Sequence, residues 1–87
     1  MSVTVELTYD MGKDLGEHRF TVEGAQTVAD VVRLTRERFG EQAASFEKLS
    51  RVAAIAVNGV LMKHCRGLKT ALRDGDRVVF VKAAAGG

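Results

Sequence analysis

Residues 52–62, VAAIAVNGVLM, decide the kind of fold that this chain adopts. The apolar run Val52–Val57 is typical of a β-strand that is buried on both faces of a sheet. It is followed by Asn58-Gly59, the residue pair most favoured in the two-residue type I′ turn of a β-hairpin. Val60–Met62 is short and apolar, as expected of a return strand. The stretch therefore predicts an antiparallel hairpin.

The sequence on the C-terminal side of this hairpin predicts one more strand. Residues 72–82, LRDGDRVVFVK, combine an Asp-Gly-Asp turn with an apolar strand over Arg77–Lys82. The intervening segment Lys63–Arg73 is predicted to be a polar connection that is anchored to the core by Leu68 and Leu72.

Two strands are predicted near the N-terminus. Apolar residues alternate with polar ones at Val3, Val5, Leu7 and Tyr9. This period of two indicates a half-buried strand. Asp10–Gly16 contains two glycines and two aspartates and is predicted to be a hairpin loop, after which Phe20 and Val22 mark a second alternating strand. Strands joined by a short loop pair antiparallel.

The period then changes to that of a helix. One face is formed at steps of three and four by Val28, Val31, Val32, Thr35 and Phe39. Thr27 precedes Asp30 by three positions, a near-match to the capping box with aspartate in place of glutamate. Gly40 lies where a left-handed C-terminal cap is expected. Glu41–Arg51 shows a weaker helical pattern.

The order of elements predicts an α+β fold. A mixed sheet of four or five strands is covered on one face by the main helix, and a short second helix precedes the third strand. The first and last strands are strongly apolar, so we expect them side by side at the centre. Residues 1–82 are predicted to form one domain and 83–87 a flexible tail, because 87 residues are too few for two cores.

Composition excludes several classes of protein. The longest apolar run is far shorter than the roughly 20 residues that cross a bilayer, and the first residues lack the basic start and apolar core of a signal peptide. The single cysteine, Cys65, cannot form an internal disulfide. We therefore expect a cytoplasmic protein.

Charge is distributed unevenly along the chain. Residues 1–48 contain six Lys/Arg and nine Asp/Glu, whereas residues 49–87 contain seven and two. The basic half either attracts an acidic partner surface or forms an ordinary solvated face. The net charge of +2 and the five aromatic residues do not indicate nucleic-acid binding.

Other candidate sites have simpler explanations. His64 and Cys65 are neighbours on the chain and therefore point to opposite sides of an extended backbone, which disfavours a shared proton. With His18 they lack the spacing of a structural zinc site, so no metal is expected. The Asp-Gly-Asp sequence lacks the further ligands of a calcium loop, and Gly12 and Gly16 do not match phosphate-binding loops.

Four features together carry a resemblance to a known family. They are the order of elements, the Val57-Asn58-Gly59 hairpin, the pattern Leu72-x-Asp-Gly-Asp-x-Val78, and the terminal Gly86-Gly87. With these the chain resembles the ubiquitin-like, β-grasp superfamily over its whole length, and within it the sulfur carriers. Glu41–Arg51 makes it most similar to the small subunit of molybdopterin synthase, although that subunit's tail commonly has a proline and this one has none.

The resemblance implies a carrier without catalytic residues or a bound cofactor. An ATP-dependent activating enzyme would adenylate the Gly87 carboxylate, and a sulfur donor protein would convert it to a thiocarboxylate. A catalytic subunit, such as the large subunit of molybdopterin synthase, would then accept the sulfur. Gly86, Ala85 and Ala84 would pass through a narrow tunnel in the partner, because they have small side chains or none.

Three alternatives in function remain open at this stage. The sulfur could serve cysteine, thiamine, tRNA or natural-product thiolation; the protein could be a modifier that is conjugated through Gly87; or it could be an interaction module with an inert tail. The residues expected to contact a partner are Phe80 or Val81, Lys82, Arg73 and Arg77. One of Phe80 and Val81 must face the core, since neighbouring residues of a strand alternate.

Overall fold

The computed structural model describes residues 1–82. In that range the elements are β1 Ser2–Glu6, α1 Tyr9–Leu15, β2 Arg19–Glu23, α2 Val28–Phe39, α3 Ala43–Ser50, β3 Ala53–Val57, β4 Val60–Leu61 and β5 Arg77–Lys82. Single 3-10 turns lie at Gly40–Gln42, Met62–His64 and Gly67–Lys69. None of the helices in this part of the chain is long and apolar enough to span a membrane.

The five strands form one mixed sheet in the order β2-β1-β5-β3-β4. β1 and β5 are parallel, with Val5 opposite Val78, whereas the other pairs are antiparallel. The prediction that the first and last strands lie side by side at the centre is therefore confirmed. β5 is the middle strand, held on one side by β1 and on the other by β3.

The core lies between one face of the sheet and the helices. Buried residues alternate along β1, β2 and β5, so that only one side of each strand faces the helices. All four phenylalanines meet there, and their ring centroids are 5.8 Å apart from Phe20 to Phe39, 6.1 Å from Phe39 to Phe46, and 5.8 Å from Phe46 to Phe80. The chain of rings joins β2, α2, α3 and β5. The predicted α+β architecture is confirmed.

The predicted hairpin loop over Asp10–Gly16 is wrong, because this segment contains helix α1. The Thr8 side chain accepts a hydrogen bond from the Met11 backbone N–H at 3.1 Å and caps the helix. Met11 and Leu15, four positions apart, are both buried. Gly16 ends the helix in the left-handed conformation, with φ 84°. Tertiary burial of one face thus outweighs the turn-forming composition.

The capping box of α2 is confirmed, but its C-terminal end differs from the prediction. The Thr27 Oγ1 accepts from the Asp30 N–H at 3.3 Å, and the Asp30 carboxylate accepts from the Thr27 N–H at 3.2 Å. Gly40 has φ 48° and ψ −106°, which is not the left-handed helical conformation. It instead begins the 3-10 turn that leads directly into α3, so the weak helical pattern of Glu41–Arg51 is confirmed.

Several residues lie elsewhere than predicted. Leu7 and Tyr9 were predicted in the first strand but follow the end of β1, and Tyr9 begins α1. Val52 precedes β3 and is 69% exposed, although the last three residues of that strand are buried in succession. Met62 belongs to a 3-10 turn and not to the return strand. Leu72 is buried as expected, but Leu68 is 50% exposed and does not anchor the connection.

One buried polar atom gives a prediction about stability. Thr35 of α2 is fully buried, and its Oγ1 has no hydrogen-bond partner among the described residues. Valine has the same shape without the hydroxyl, so Thr35→Val is expected to raise the free energy of unfolding by about 1 kcal/mol. Urea denaturation measures this change. Thr35→Ser keeps the hydroxyl and removes a methyl group, so it should destabilise; a loss of stability in Thr35→Val would contradict the prediction.

Candidate functional site

The beginning of β5 is held by hydrogen bonds between two turns that are distant in sequence. The Asn58 side-chain amide donates to Asp76 Oδ1 at 3.0 Å, and the Arg77 backbone N–H donates to Asn58 Oδ1 at 3.0 Å. The Arg73 N–H donates to Asp76 Oδ2 at 2.8 Å. Asn58 and Gly59 have φ of 49° and 87°, as a type I′ turn requires. The two turn motifs therefore form one network, which sets where β5 begins.

The same network ties β5 to the first strand. The Ser2 N–H donates to Asp74 Oδ1 at 2.7 Å, and the Gly75 N–H donates to the Ser2 carbonyl at 2.7 Å. Gly75 has φ 86°, which favours glycine. The aspartates thus accept backbone hydrogen bonds, as the turn interpretation predicts.

This network makes stability depend on pH. Hydrogen bonds from the Asn58 side chain and then from the Arg73 backbone hold the pKa of Asp76 below its usual value. The carboxylate of Asp76 therefore binds a proton more readily in the unfolded chain than in the folded one. The resulting stabilisation is fully present above the ordinary aspartate pKa of about 3.9. It is lost as the pH falls through the lower pKa of the folded state.

We expect Asp76→Asn to lower the free energy of unfolding at pH 7 by about 1–2 kcal/mol, because an amide cannot accept both bonds. The difference in the free energy of unfolding between the variant and the wild type should become smaller below about pH 4. Urea titrations at pH 7 and pH 3 measure it, with Asp14→Asn at an exposed position of α1 as the control. A gap that is constant over this pH range would contradict the prediction.

At its other end, β5 finishes at Lys82, opposite Ala53 of β3. The predicted carrier atom on Gly87 and the predicted tunnel residues Gly86, Ala85 and Ala84 lie outside the described residues. The domain therefore presents the end of its central strand, Lys82, at one end of the sheet.

The predicted partner-contact residues do not form a single patch. Arg77 begins β5, about 16 Å from Lys82 by the rise of five strand residues, and Arg73 lies in the turn before the strand. The Arg77 Nε is 3.4 Å from a Glu6 carboxylate oxygen. Phe80 is 1% exposed within the core, so Val81, on the opposite face, is the neighbour with an accessible side chain.

A partly exposed apolar strip runs along the sheet face that the helices leave uncovered. Its members are neighbours across adjacent strands: Val81 lies opposite Ala54, Val79 opposite Ala56, and Ala56 opposite Leu61. These five residues form what we call the sheet strip. It follows β5 towards Lys82, so a protein that binds the last residues of the chain can contact the strip as well.

A pocket of about 160 Å³ lies beside Lys82 on the helix side of the sheet. It is formed by Asp10 and Met11 of α1, Leu49 of α3, Val52, Ala53 and Lys82. We call it the β5-end pocket. The sequence alone did not indicate it, because Val52 was assigned to a strand and α1 to a loop.

Cys65 and the basic connection lie away from Lys82. Cys65 is exposed, and its Sγ lies 3.8 Å from the carbonyl of Leu61. Lys63, Arg66 and Lys69 are exposed on the segment between β4 and β5. Among residues 1–82, no group of three or more histidine, cysteine, aspartate or glutamate side chains is arranged to hold a metal ion.

Comparison with known proteins gives a family and a set of similar folds. The model of the ThiS family matches residues 12–87. Small archaeal modifier protein 1 from Methanosarcina acetivorans is similar in structure, with TM-score 0.77 and 20% identity over 99% of this chain and 96% of that one. No curated protein sequence matches the chain significantly.

Two similar structures are complexes of two proteins. The complex of subunits 1 and 2 of molybdopterin-converting factor from Helicobacter pylori contains a chain of similar structure. Its TM-score is 0.64 and its identity 24%, over 100% of this chain and 100% of that one. The BexX/CysO complex from Amycolatopsis orientalis contains one with TM-score 0.73 and 28% identity over 98% of this chain and 99% of that one. These folds and the family match agree with the resemblance to ubiquitin-like sulfur carriers.

Proposed function

This chain belongs to the ThiS family, and from that premise we propose that it carries sulfur as a thiocarboxylate on Gly87. The observation that carries the proposal is the family match, which runs to Gly87 itself, together with a fold in which the central strand β5 ends at Lys82, five residues before Gly87. The folded part would be the surface by which other proteins hold the carrier, and the C-terminal carboxylate would be its reacting group.

The chemistry requires activation from outside, because an ionised carboxylate is a poor electrophile. With a reference pKa of about 3.5 the C-terminal carboxylate is ionised at pH 7. It would attack the α-phosphorus of ATP in the activating enzyme and release pyrophosphate. A persulfide on the sulfur donor would then displace AMP, and a thiol would cleave the S–S bond to leave the thiocarboxylate.

The described residues support this role by the way they hold the body of the domain up to the end of β5. The turn network fixes β5 at its beginning, and strands β1 and β3 hold it on both sides. From Lys82, the remaining five residues reach at most about 17 Å when extended. The partner would therefore contact the sheet strip around Val81 while the terminus enters its active site.

The pathway that we propose is molybdopterin synthesis, with this chain as the small subunit and a larger catalytic subunit as the acceptor. The Helicobacter pylori complex supports this choice, since the similarity extends over the whole of both chains. Helix α3 also supports it, because it lies within Glu41–Arg51, the segment whose presence suggested this subfamily. The CysO complex supports a carrier for another pathway as the alternative.

Intact-mass measurement tests the carrier function. The purified protein is incubated with ATP, a persulfide sulfur donor, a thiol and an activating enzyme, and it is expected to gain one sulfur in place of one oxygen at Gly87. Omission of ATP should prevent the change. A protein that keeps its original mass with the activating enzymes of every candidate pathway would refute the proposal.

The similarity to a small archaeal modifier protein favours a second candidate, conjugation of Gly87 to lysines of other proteins. Both functions activate the same atom, so the product distinguishes them. In denatured cell extracts a modifier gives a series of higher-mass conjugates, whereas a carrier gives the free protein with a thiocarboxylate.

A further inference from the structure

The β5-end pocket has the size and lining of a site for one apolar side chain. Its volume of about 160 Å³ is close to that of engineered cavities of about 150 Å³ that bind benzene. Met11 at its base is 1% exposed, and Leu49, Val52 and Ala53 supply further apolar walls. The pocket can therefore take one leucine or phenylalanine side chain.

One of the most exposed apolar side chains lines this pocket. Among the large apolar residues of the described chain, Tyr9 and Val52 are the most exposed, at 73% and 69%. Val52 lines the pocket, whereas the Tyr9 ring lies 6.2 Å from that of His18 and is not part of the lining. An exposed valine in the wall of a concave apolar site is surface that a partner can cover, and its burial would be favourable.

The pocket lies where any protein that binds the C-terminal residues must approach. Lys82 lines it, and residue 83 is the next in the chain. The tail cannot supply such an apolar side chain, because Ala83–Gly87 contains none larger than a methyl group. Asp10 and Lys82 are exposed charges beside the apolar walls, so a partner can add polar contacts around the inserted side chain.

We propose that the activating enzyme inserts an apolar side chain into the β5-end pocket and so holds the body of the carrier while the tail enters its active site. This inference rests on the proposed function, because it identifies the partner as the enzyme that adenylates Gly87. It adds a second contact on the helix side of the sheet, opposite the sheet strip. Both sides of the end of β5 would then be covered in the complex.

The test is a matched pair of substitutions in the full-length protein. Val52→Asp places a charge in the pocket wall, whereas Val60→Asp places one at another exposed valine, on β4. Val60 lies opposite Val57, which is five residues or about 16 Å from Val52 along the chain. Val52→Asp is expected to raise the KM of the carrier in ATP-dependent pyrophosphate release about tenfold, with kcat unchanged. Val60→Asp should leave both constants near wild type.

A spectroscopic measurement tests the occupant directly. In protein labelled at the methionine methyl groups, the Met11 signal should shift when the activating enzyme is added, while the Met62 signal, outside the pocket, should not. A Met11 signal that depends on the carrier's own concentration would assign the pocket to a second copy. A signal that changes when residues 83–87 are removed would assign it to the tail. The core residues in the described part of the chain, from Val3 to Phe80, are all present in the shortened protein. Either result overturns the inference.

Different results refute the proposed function and the contact at the β5-end pocket. If the wild type gains no sulfur and releases no pyrophosphate with any activating enzyme, the proposed function is refuted and the inference falls with it. If the wild type is activated but Val52→Asp and Val60→Asp have the same KM, or if Met11 is unaffected by the enzyme, the inference alone is refuted.

Discussion

Gly87→Ala, or one residue added after Gly87, is expected to abolish adenylation and thiocarboxylate formation. An added residue moves the carboxylate by about 3.3–3.6 Å, and a misplacement of 1 Å at a reacting centre can reduce the rate about a hundredfold. Alanine keeps the length but adds a Cβ where a narrow site must pass the backbone, and it loses the positive φ values that glycine allows. Pyrophosphate release and intact mass measure both steps.

A residue added before Met1 is the matched control for this change of length. Met1 lies at the beginning of β1, at the other end of the sheet from Lys82, and its terminal ammonium makes only an exposed contact of 3.7 Å with Glu23. Such contacts contribute little to stability, so activation should be normal. Unchanged urea midpoints in all variants would show that the fold is intact, and normal thiocarboxylate formation by Gly87→Ala would contradict the prediction.

The turns were predictable from sequence because each depends on a particular backbone conformation. A type I′ turn needs positive φ at two successive positions, and Asn58-Gly59 meets that need at little energetic cost. The register on either side of such a turn follows from its length. With the period-two strands and the 3.6-period helix, these local signals were enough to predict the mixed sheet and its covering helix.

Helix α1 could not be predicted in the same way, because its stability depends on contacts with the rest of the fold. It has seven residues, and isolated helices of that length are not stable in water. The signals that remain, Thr8 as a cap and the spacing of Met11 and Leu15, are weaker than the two glycines beside them. The β5-end pocket depends on α1 and was missed for this reason.

The basic residues show how proximity in sequence differs from proximity in space. Arg77 and Lys82 are five residues apart, which in a helix would be little more than one turn. In strand β5 they lie at opposite ends, with the turn network at one and the tail at the other. The end of the domain that we propose to be functional is formed by Lys82 and its neighbours in space, Ala53 and Asp10, which the sequence pattern does not bring together.

Phe46→Ala is expected to lower the free energy of unfolding by about 3–5 kcal/mol, the usual loss when a buried phenylalanine is truncated. Phe46 is fully buried, and its ring lies between those of Phe39 and Phe80. Truncation therefore removes two aromatic contacts and leaves a cavity between α3 and β5. Since a domain of this size is stable by about 5–15 kcal/mol, the variant should be partly unfolded at low urea concentrations.

The size of this effect decides whether α3 is part of the core or an addition to it. Leu68→Ala is the control, because the leucine is 50% exposed and surface substitutions usually change stability by less than about 0.5 kcal/mol. A loss of less than about 1 kcal/mol in Phe46→Ala would mean that neighbouring side chains fill the cavity at little cost in stability. In that case α3 would not be needed for a stable core. The expected large loss means instead that the segment 41–51 supports Phe80, and through it the strand that leads to the tail.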